Sequence, residues 1–366
     1  MILTAGPSIT QKEIDYVNDA VKTGWNNNWN SYLTKLENAF KDKFAAKHAL
    51  LTSSCTGAMH MAIRAMGIGE GDEVIVPGLT WVATASVVNY VGGTPVFVDI
   101  DKKTWTMDPE SFRNAITDKT KLVMPVHLYG HPAKMDEIVA IAKEHNLKIL
   151  EDAAPAIGAT FNGKYCGTFG DVAAFSFQGA KMMVTGEGGI LITNDDDIFA
   201  NIKQYSEHGR SKDPNNTFWI ETIGYKYKMS NIQAALGLAQ FERINELIDR
   251  KRLIFSWYEK RLDEIEGLHL NKEADWAKSI YWMTSIFLEN DFGILRNELM
   301  NRLKEDGVDT RPVFPAISKY PMWHSDCHNP NAIAISENSI NLPSGHNLDE
   351  GQVEYICKSI IKHLNL

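Results

Sequence analysis

Short apolar runs alternate with helical patterns along the first half of the chain, and this limits the possible folds more than any other feature. Strand-like runs lie at 49–52, 73–77, 95–100, 122–126, 147–152, 171–177 and 190–194. Between and before them, helical spacing marks further segments. Thr10 and Glu13 form a capping box ahead of Ile14, Val17 and Val21, and that helix ends at Gly24. Leu33, Leu36 and Phe40 line one side of a second helix over 32–44, and others run to about Met66, to Tyr90 and over 135–145. Strands alternating with helices in this way imply βαβ units and a mostly parallel sheet covered on both faces. A chain of 366 residues has room for about two domains. Past Asn194 the alternation weakens, and one long helix is expected over 230–248. It leads to a smaller α+β domain, dividing the chain near Glu242 into 1–241 and 242–366. That second part holds helices near 295–305 and 349–364. A long irregular segment between them carries Arg311-Pro312-Val313-Phe314-Pro315 and Asn341-Leu342-Pro343, and loops of this length often belong to a site.

A net charge of −9 offers no electrostatic case for nucleic acid or an anionic membrane. The start lacks a secretion signal, and no apolar run approaches the ~18 residues that span a bilayer. Cys55, Cys166, Cys327 and Cys357 are far apart with no CxxC spacing, as expected for a reduced, cytoplasmic protein. Cys327 with His324 and His328 is the single metal-like grouping. It lacks a fourth ligand, so no metal is expected.

In a parallel sheet, ligands bind beyond the carboxyl ends of the strands, and several unusual residues collect there. Lys181 follows the run 171–177 and precedes Gly186-Glu187-Gly188-Gly189 and the next strand. An amine held between two apolar strands loses hydration and proton affinity, and a neutral amine can form a Schiff base with a carbonyl. The alternative is a packed stem with its head in water. Ser53-Ser54-Cys55-Thr56-Gly57 opens a helix and suits a bound phosphate, or only a helix cap. The carboxylate ending Glu151-Asp152 needs a cationic partner, either a protonated pyridine nitrogen or a structural arginine. Trp81 offers a face for stacking, or packs in the core. Trp25 and Trp29, in a loop rich in asparagine that includes Asn26, suggest a binding surface or packing against a neighbour. Together these features describe a site for pyridoxal 5′-phosphate, the electron sink of amine chemistry.

Gly167-Thr168-Phe169-Gly170-Asp171-Val172, Phe175-Ser176-Phe177, Lys181 and Gly186-Glu187-Gly188-Gly189 resemble the DegT/DnrJ/EryC1/StrS family of sugar-nucleotide aminotransferases. So do residues 71–77, 125–130, 151–154 and 229–235, Arg311-Pro312 and Asn341-Leu342-Pro343, nearly the whole chain. The branch it most resembles is that of the GDP-perosamine synthase-like 4-aminotransferases. The resemblance implies a fold type I aminotransferase with a large cofactor domain, active as a homodimer with its sites at the subunit interface. Carried over by motif, Lys181 holds the cofactor and moves protons, and Asp152 pairs with the pyridinium nitrogen. Trp81 stacks on the ring, while Thr56, the Cys55 and Thr56 amides and Ser176 bind the phosphate. Lys226 stands after Gly224-Tyr225, where family members commonly carry an asparagine that reaches the partner subunit's phosphate. Two further departures are Pro155, at a usually polar position, and Ser53-Ser54-Cys55-Thr56 in the phosphate loop.

The implied reaction takes the amino group of L-glutamate, releases 2-oxoglutarate, and passes the group through the pyridoxamine form to a keto sugar. The substrate is a GDP-, dTDP- or UDP-linked 4-keto-6-deoxyhexose, and the product an amino sugar for surface polysaccharide such as O-antigen. Trp25, Asn26, Trp29, Arg311 and Phe314 are the candidates for the sugar-nucleotide pocket. One alternative is a pyridoxamine-dependent 3-dehydratase of the same family, but such enzymes carry histidine where this chain has Lys181. Another is a non-catalytic cofactor-binding regulator, against which stands the lack of a basic stripe.

Overall fold

The computed structural model describes residues 1–213, 215–289, 292–323 and 328–366. Its strands begin with β1 (His48–Thr52), β2 (Glu73–Pro77), β3 (Thr94–Val98), β4 (Thr120–Val123) and β5 (Lys148–Asp152). The short β6 (Thr160–Phe161) and β7 (Lys164–Tyr165) follow, then β8 (Val172–Ser176) and β9 (Gly189–Thr193). Helices α1 (Gln11–Thr23), α2 (Ser31–Phe44), α3 (Cys55–Ala65), α4 (Ala83–Tyr90), α5 (Pro109–Asn114), α6 (Met135–Glu144) and α7 (Asp196–Ser206) lie among them. Among the described residues the central sheet has seven strands in the order β1-β9-β8-β5-β4-β2-β3. Only β9 runs against its neighbours.

The strands of this sheet are apolar on both faces, as a covered sheet requires. Ala173, Phe175 and Phe177 pack with α2 and with α8 (Asn231–Glu242), whereas Val172 and Ala174 pack with α3. On the first face Phe40 stacks on Phe241 with ring centroids 4.4 Å apart, and Phe175 and Phe177 close around it.

The single helix expected over 230–248 is instead two. α8 stops at Glu242, and α9 (Ile244–Leu262) starts after Arg243, whose ψ of 8° leaves the helical range, and runs much further. Neither glycine nor proline marks the break. Arg243 sits there with its guanidinium bonded to Glu13, Glu246 and Ser8, which fixes the junction against the amino-terminal segment. A second, antiparallel sheet follows, built from β10 (Leu268–Leu270), β12 (Ser285–Leu288), β13 (Arg311–Pro312) and β14 (Ser339–Asn341) in the order β10-β12-β14-β13. Between β10 and β12, β11 (Ala277–Lys278) pairs with β6. Helices α10 (Arg296–Glu305), α11 (Pro330–Asn338) and α12 (Glu350–His363) complete this half. The segment expected to be irregular thus holds a helix. The carboxylate of Asp99, just past β3, accepts from the Asn331 and Ala332 amides at 3.1 and 2.9 Å and so caps α11 from a distance. His324 and Cys327 of the metal-like grouping lie outside the described residues. Among the described residues no group of three or more His, Cys, Asp or Glu can hold a metal ion. No helix among them is long and apolar enough to cross a membrane.

Candidate active site

The carboxyl ends of β5, β8 and β1 bring Asp152, Ser176 and the start of α3 to one place. Lys181 reaches them from a tight excursion between β8 and β9. The Phe177 amide donates to the Gly188 carbonyl at 2.9 Å, Gly179 to Gly186 at 2.8 Å, and Lys181 to Gln178 at 2.8 Å. Gly188 has φ 151°, and a Cβ there would sit 2.3 Å from Met229 Cε, so only glycine lets the loop return. Lys181 is half-buried. Loss of hydration takes its amine down to about 8, against the opposing pull of the Asp152 carboxylate. The Lys181 Nζ also lies 3.7 Å from the centroid of the Trp282 ring, whose Nε1 donates to the Ala180 carbonyl at 2.6 Å.

Asp152 is 5 % exposed. Its carboxylate accepts from Thr84 Oγ1 at 2.7 Å and from the Ala154 amide at 3.1 Å. Thr84 is in turn bonded to Thr80 at 3.0 Å. A carboxylate has about four acceptor positions, so capacity remains for a further donor. No arginine among the described residues is bonded to it, which removes the structural ion pair as its explanation. The neighbouring Glu151 points to the opposite face and is fully committed. It accepts from the Gly167, Phe169 and Gly170 amides at 2.7, 2.6 and 2.7 Å and contacts His127 Nε2 at 3.0 Å. This is why the Gly167-Thr168-Phe169-Gly170 stretch adopts one conformation.

At the start of α3 the Ser54 hydroxyl accepts from the Gly57 amide at 3.0 Å, a true cap. The Cys55 and Thr56 amides precede any intrahelical partner, so they remain as donors at the positive end of the helix. Cys55 is buried and its thiol is pushed up by burial, which leaves it protonated and inert. Ser176 is buried at the end of β8, its Oγ 3.4 Å from the Gln178 amide. The segment carrying Lys226 runs alongside, with the Tyr227 carbonyl accepting from the Ser53 amide at 2.5 Å. Lys226 itself is exposed.

An aromatic wall joins Trp81 to Lys181. Trp81 is half exposed, and its ring centroid is 5.4 Å from that of Phe314. Phe314 lies 5.4 Å from Tyr129, which lies 5.8 Å from Trp282. The Tyr129 hydroxyl accepts from the Phe314 amide at 3.2 Å and meets Asn341 Nδ2 at 3.4 Å, so the wall ties both halves of the chain together. Sequence reasoning found Trp81 and Phe314 but assigned no role to Tyr129, Trp282 or Thr84. The signal for Tyr129 was its place just past a strand end; Trp282 carried none beyond an apolar run.

The other predicted residues are not part of this cluster within one chain. The Trp25 indole donates to the Val21 carbonyl at 2.7 Å, Asn26 begins a short turn with φ 50°, and the Trp29 ring lies 3.8 Å from Lys228 Nζ. All three are exposed. Arg311 is also exposed, 3.4 Å from Asp309. A cleft of about 730 Å³ bounded by Trp105, Lys134, His269 and Trp276 lies apart from Lys181. Its Lys102, His269 and Lys134 are already paired with Glu289 and Glu137.

The model of the DegT/DnrJ/EryC1/StrS aminotransferase family matches residues 7–361. GDP-perosamine synthase of Escherichia coli O157:H7 is 42% identical over 355 residues, covering 97% of this chain and 96% of that protein. GDP-perosamine synthase of Caulobacter vibrioides is 39% identical over 363 residues, covering 98% and 97%. The structure of Spr1654 from Streptococcus pneumoniae, solved in a PLP form, superposes with a TM-score of 0.90 at 27% identity, covering 100% of this chain and 98% of that one. The chain belongs to the DegT/DnrJ/EryC1/StrS aminotransferase family.

Proposed function

We propose that this protein moves an amino group from L-glutamate to the keto carbon of a nucleotide-linked 4-keto-6-deoxyhexose, with pyridoxal 5′-phosphate as cofactor. GDP-linked 4-keto-6-deoxymannose is the leading substrate, because relatives sharing about two-fifths of the sequence over nearly full length bear the name GDP-perosamine synthase. The dTDP- and UDP-linked sugars stand behind it. The observation that carries the reading is the Lys181 amine, brought down to about 8 by burial with the Asp152 carboxylate acting on it, a carboxylate that forms no ion pair among the described residues.

The residues fit this cofactor. Lys181 would hold its aldehyde, and Asp152, with its unused acceptor positions, would accept from the protonated ring nitrogen. Trp81 would cover a ring face, and the Cys55 and Thr56 amides, with the Thr56 and Ser176 hydroxyls, would hold the phosphate at the helix start. When bound, pyridoxal phosphate supplies the electron sink that lets a proton leave the carbon bearing the amine. With the cofactor bound, Lys181 would carry that proton on Nζ as base and then acid. An amine with a pKa near the working pH suits both roles. Trp282 keeps bulk water from Nζ while it does so.

The active form in this reading is a homodimer in which the partner subunit's Lys226 meets the phosphate, and Trp25, Asn26, Trp29, Arg311 and Phe314 contact the sugar nucleotide. The division into domains falls between residues 241 and 242. The reading sets the enzyme in the cytoplasm, where Cys55, Cys166 and Cys357 stay as free thiols. A 3-dehydratase is disfavoured by the lysine at 181.

Purified protein should show a visible cofactor band that glutamate bleaches, and one keto sugar from a GDP, dTDP and UDP panel should restore it. Lys181→Ala should remove both the band and all turnover. A band indifferent to glutamate would sink the transaminase reading in favour of a regulator, and turnover retained by Lys181→Ala would sink the assignment of the lysine.

A further inference from the structure

Lys251 lies on α9, 4 % exposed, and has no part in the chemistry described above. Its Nζ donates to the Trp282 carbonyl at 3.0 Å and to the Ser344 carbonyl. Among the described residues no carboxylate pairs with it, and burial takes its amine down to about 7. Methionine would fill the same space without desolvating an amine, so packing alone gives no reason for a lysine here. What the amine adds is its grip on two carbonyls.

One of those carbonyls belongs to the residue that covers Lys181. Trp282 is pinned at its backbone by Lys251 and at its ring by the bond from Nε1 to Ala180, with the indole over the Lys181 amine. The second carbonyl, of Ser344, belongs to a residue whose hydroxyl accepts from the Thr284 amide at 2.9 Å, so Lys251 also ties the 282–284 segment to the turn after β14. We propose that Lys251 is a positioning residue for Lys181: it fixes the Trp282 backbone so that the indole stays over Nζ and excludes water from it. This rests on Lys181 being the cofactor lysine.

The titratable groups facing Lys181 are Asp152 from β5 and Cys55 from α3. His346, before α12, faces Lys251, and burial holds it neutral, down to about 4. Asp152 and Cys55 are untouched by the substitutions that test the proposal, whereas Lys251→Met removes the amine that helps to hold His346 neutral. Capture of pyridoxal phosphate by the cofactor-free protein is followed as growth of the visible band across pH, in wild type, Lys251→Met and Trp282→Phe. The last keeps an aromatic ring but loses the Nε1 donor. Admitting water restores proton affinity to Lys181, so both variants should shift the capture midpoint upward by about one pH unit and slow capture at pH 7 about tenfold. The double variant should shift by less than the sum. A merely structural role for Lys251 would lower the melting temperature and leave the midpoint in place. An unmoved midpoint in folded Lys251→Met, or in Trp282→Phe should the first variant not fold, overturns the inference alone. A wild-type protein that captures no cofactor through Lys181 overturns it together with the reading beneath it.

Discussion

At residue 181 two effects compete, and burial wins. Asp152 favours the charged amine, yet lost hydration leaves its proton affinity well below that of a free lysine, at about 8. The neutral amine is the nucleophile. Capture of pyridoxal phosphate by cofactor-free protein should therefore rise with pH, reach half its plateau near pH 8 and change little above about pH 9. A midpoint close to that of a solvent-exposed lysine, found by stopped-flow absorbance across pH, would mean that the amine is hydrated in solution. Lys181, Asp152 and the start of α3 were legible from sequence because each stands at a strand end, where a parallel sheet puts its ligands. Thr84, Tyr129 and Trp282 were not, because their roles come from distant partners. Thr84 meets Asp152 across 68 residues, and Trp282 meets Ala180 across 102. Glu151 and Asp152 look equivalent in sequence. Only the strand's alternation, which sends them to opposite faces, separates the structural carboxylate from the one with acceptors to spare.

Among elements, the seven central strands were readable because each is a short apolar run between turn residues, and the structure shifts only their ends. The break at Arg243 was hidden, since apolar spacing continues across it and what stops α8 is a set of bonds to Glu13 and Ser8 more than two hundred residues earlier. α11 was hidden for a similar reason, its first turn being capped by Asp99. The contact that matters most for the phosphate is between β9 and α3. A Cβ on Gly189 would lie 2.6 Å from the Cys55 nitrogen and 2.8 Å from the Phe175 carbonyl oxygen, both backbone atoms with little room to yield. Gly189→Ala should push the helix start off the sheet, destabilise the fold by about 3 kcal/mol and weaken cofactor binding by about tenfold or more. Urea unfolding and a cofactor titration read the two effects separately. Unchanged affinity would show that the helix start does not hold the phosphate.

For the whole molecule, the stretch before Lys226 is hard to reconcile with a lone chain. Phe218, Trp219 and Ile223 are 78%, 65% and 77% exposed, the first two lying just before Ile220, which bridges to Arg210. Exposed large apolar side chains so close in sequence suit a surface that something covers, and in a symmetric dimer a second copy of the chain would supply the cover. That geometry makes a prediction about which chain serves which site. If Lys226 reaches across the interface, a Lys181→Ala subunit and a Lys226→Ala subunit are each inactive at both sites of their own dimers, yet a mixed dimer contains one site with both lysines intact. After denaturation and refolding together at equal amounts, about half the dimers are mixed, so activity should return to about a quarter of wild type. If Lys226 instead serves its own chain, every site in the mixture lacks one lysine and nothing returns. Trp219→Glu in both chains should abolish the recovery and, in an otherwise unaltered protein, make activity depend on protein concentration, because the charge must be buried for the subunits to meet.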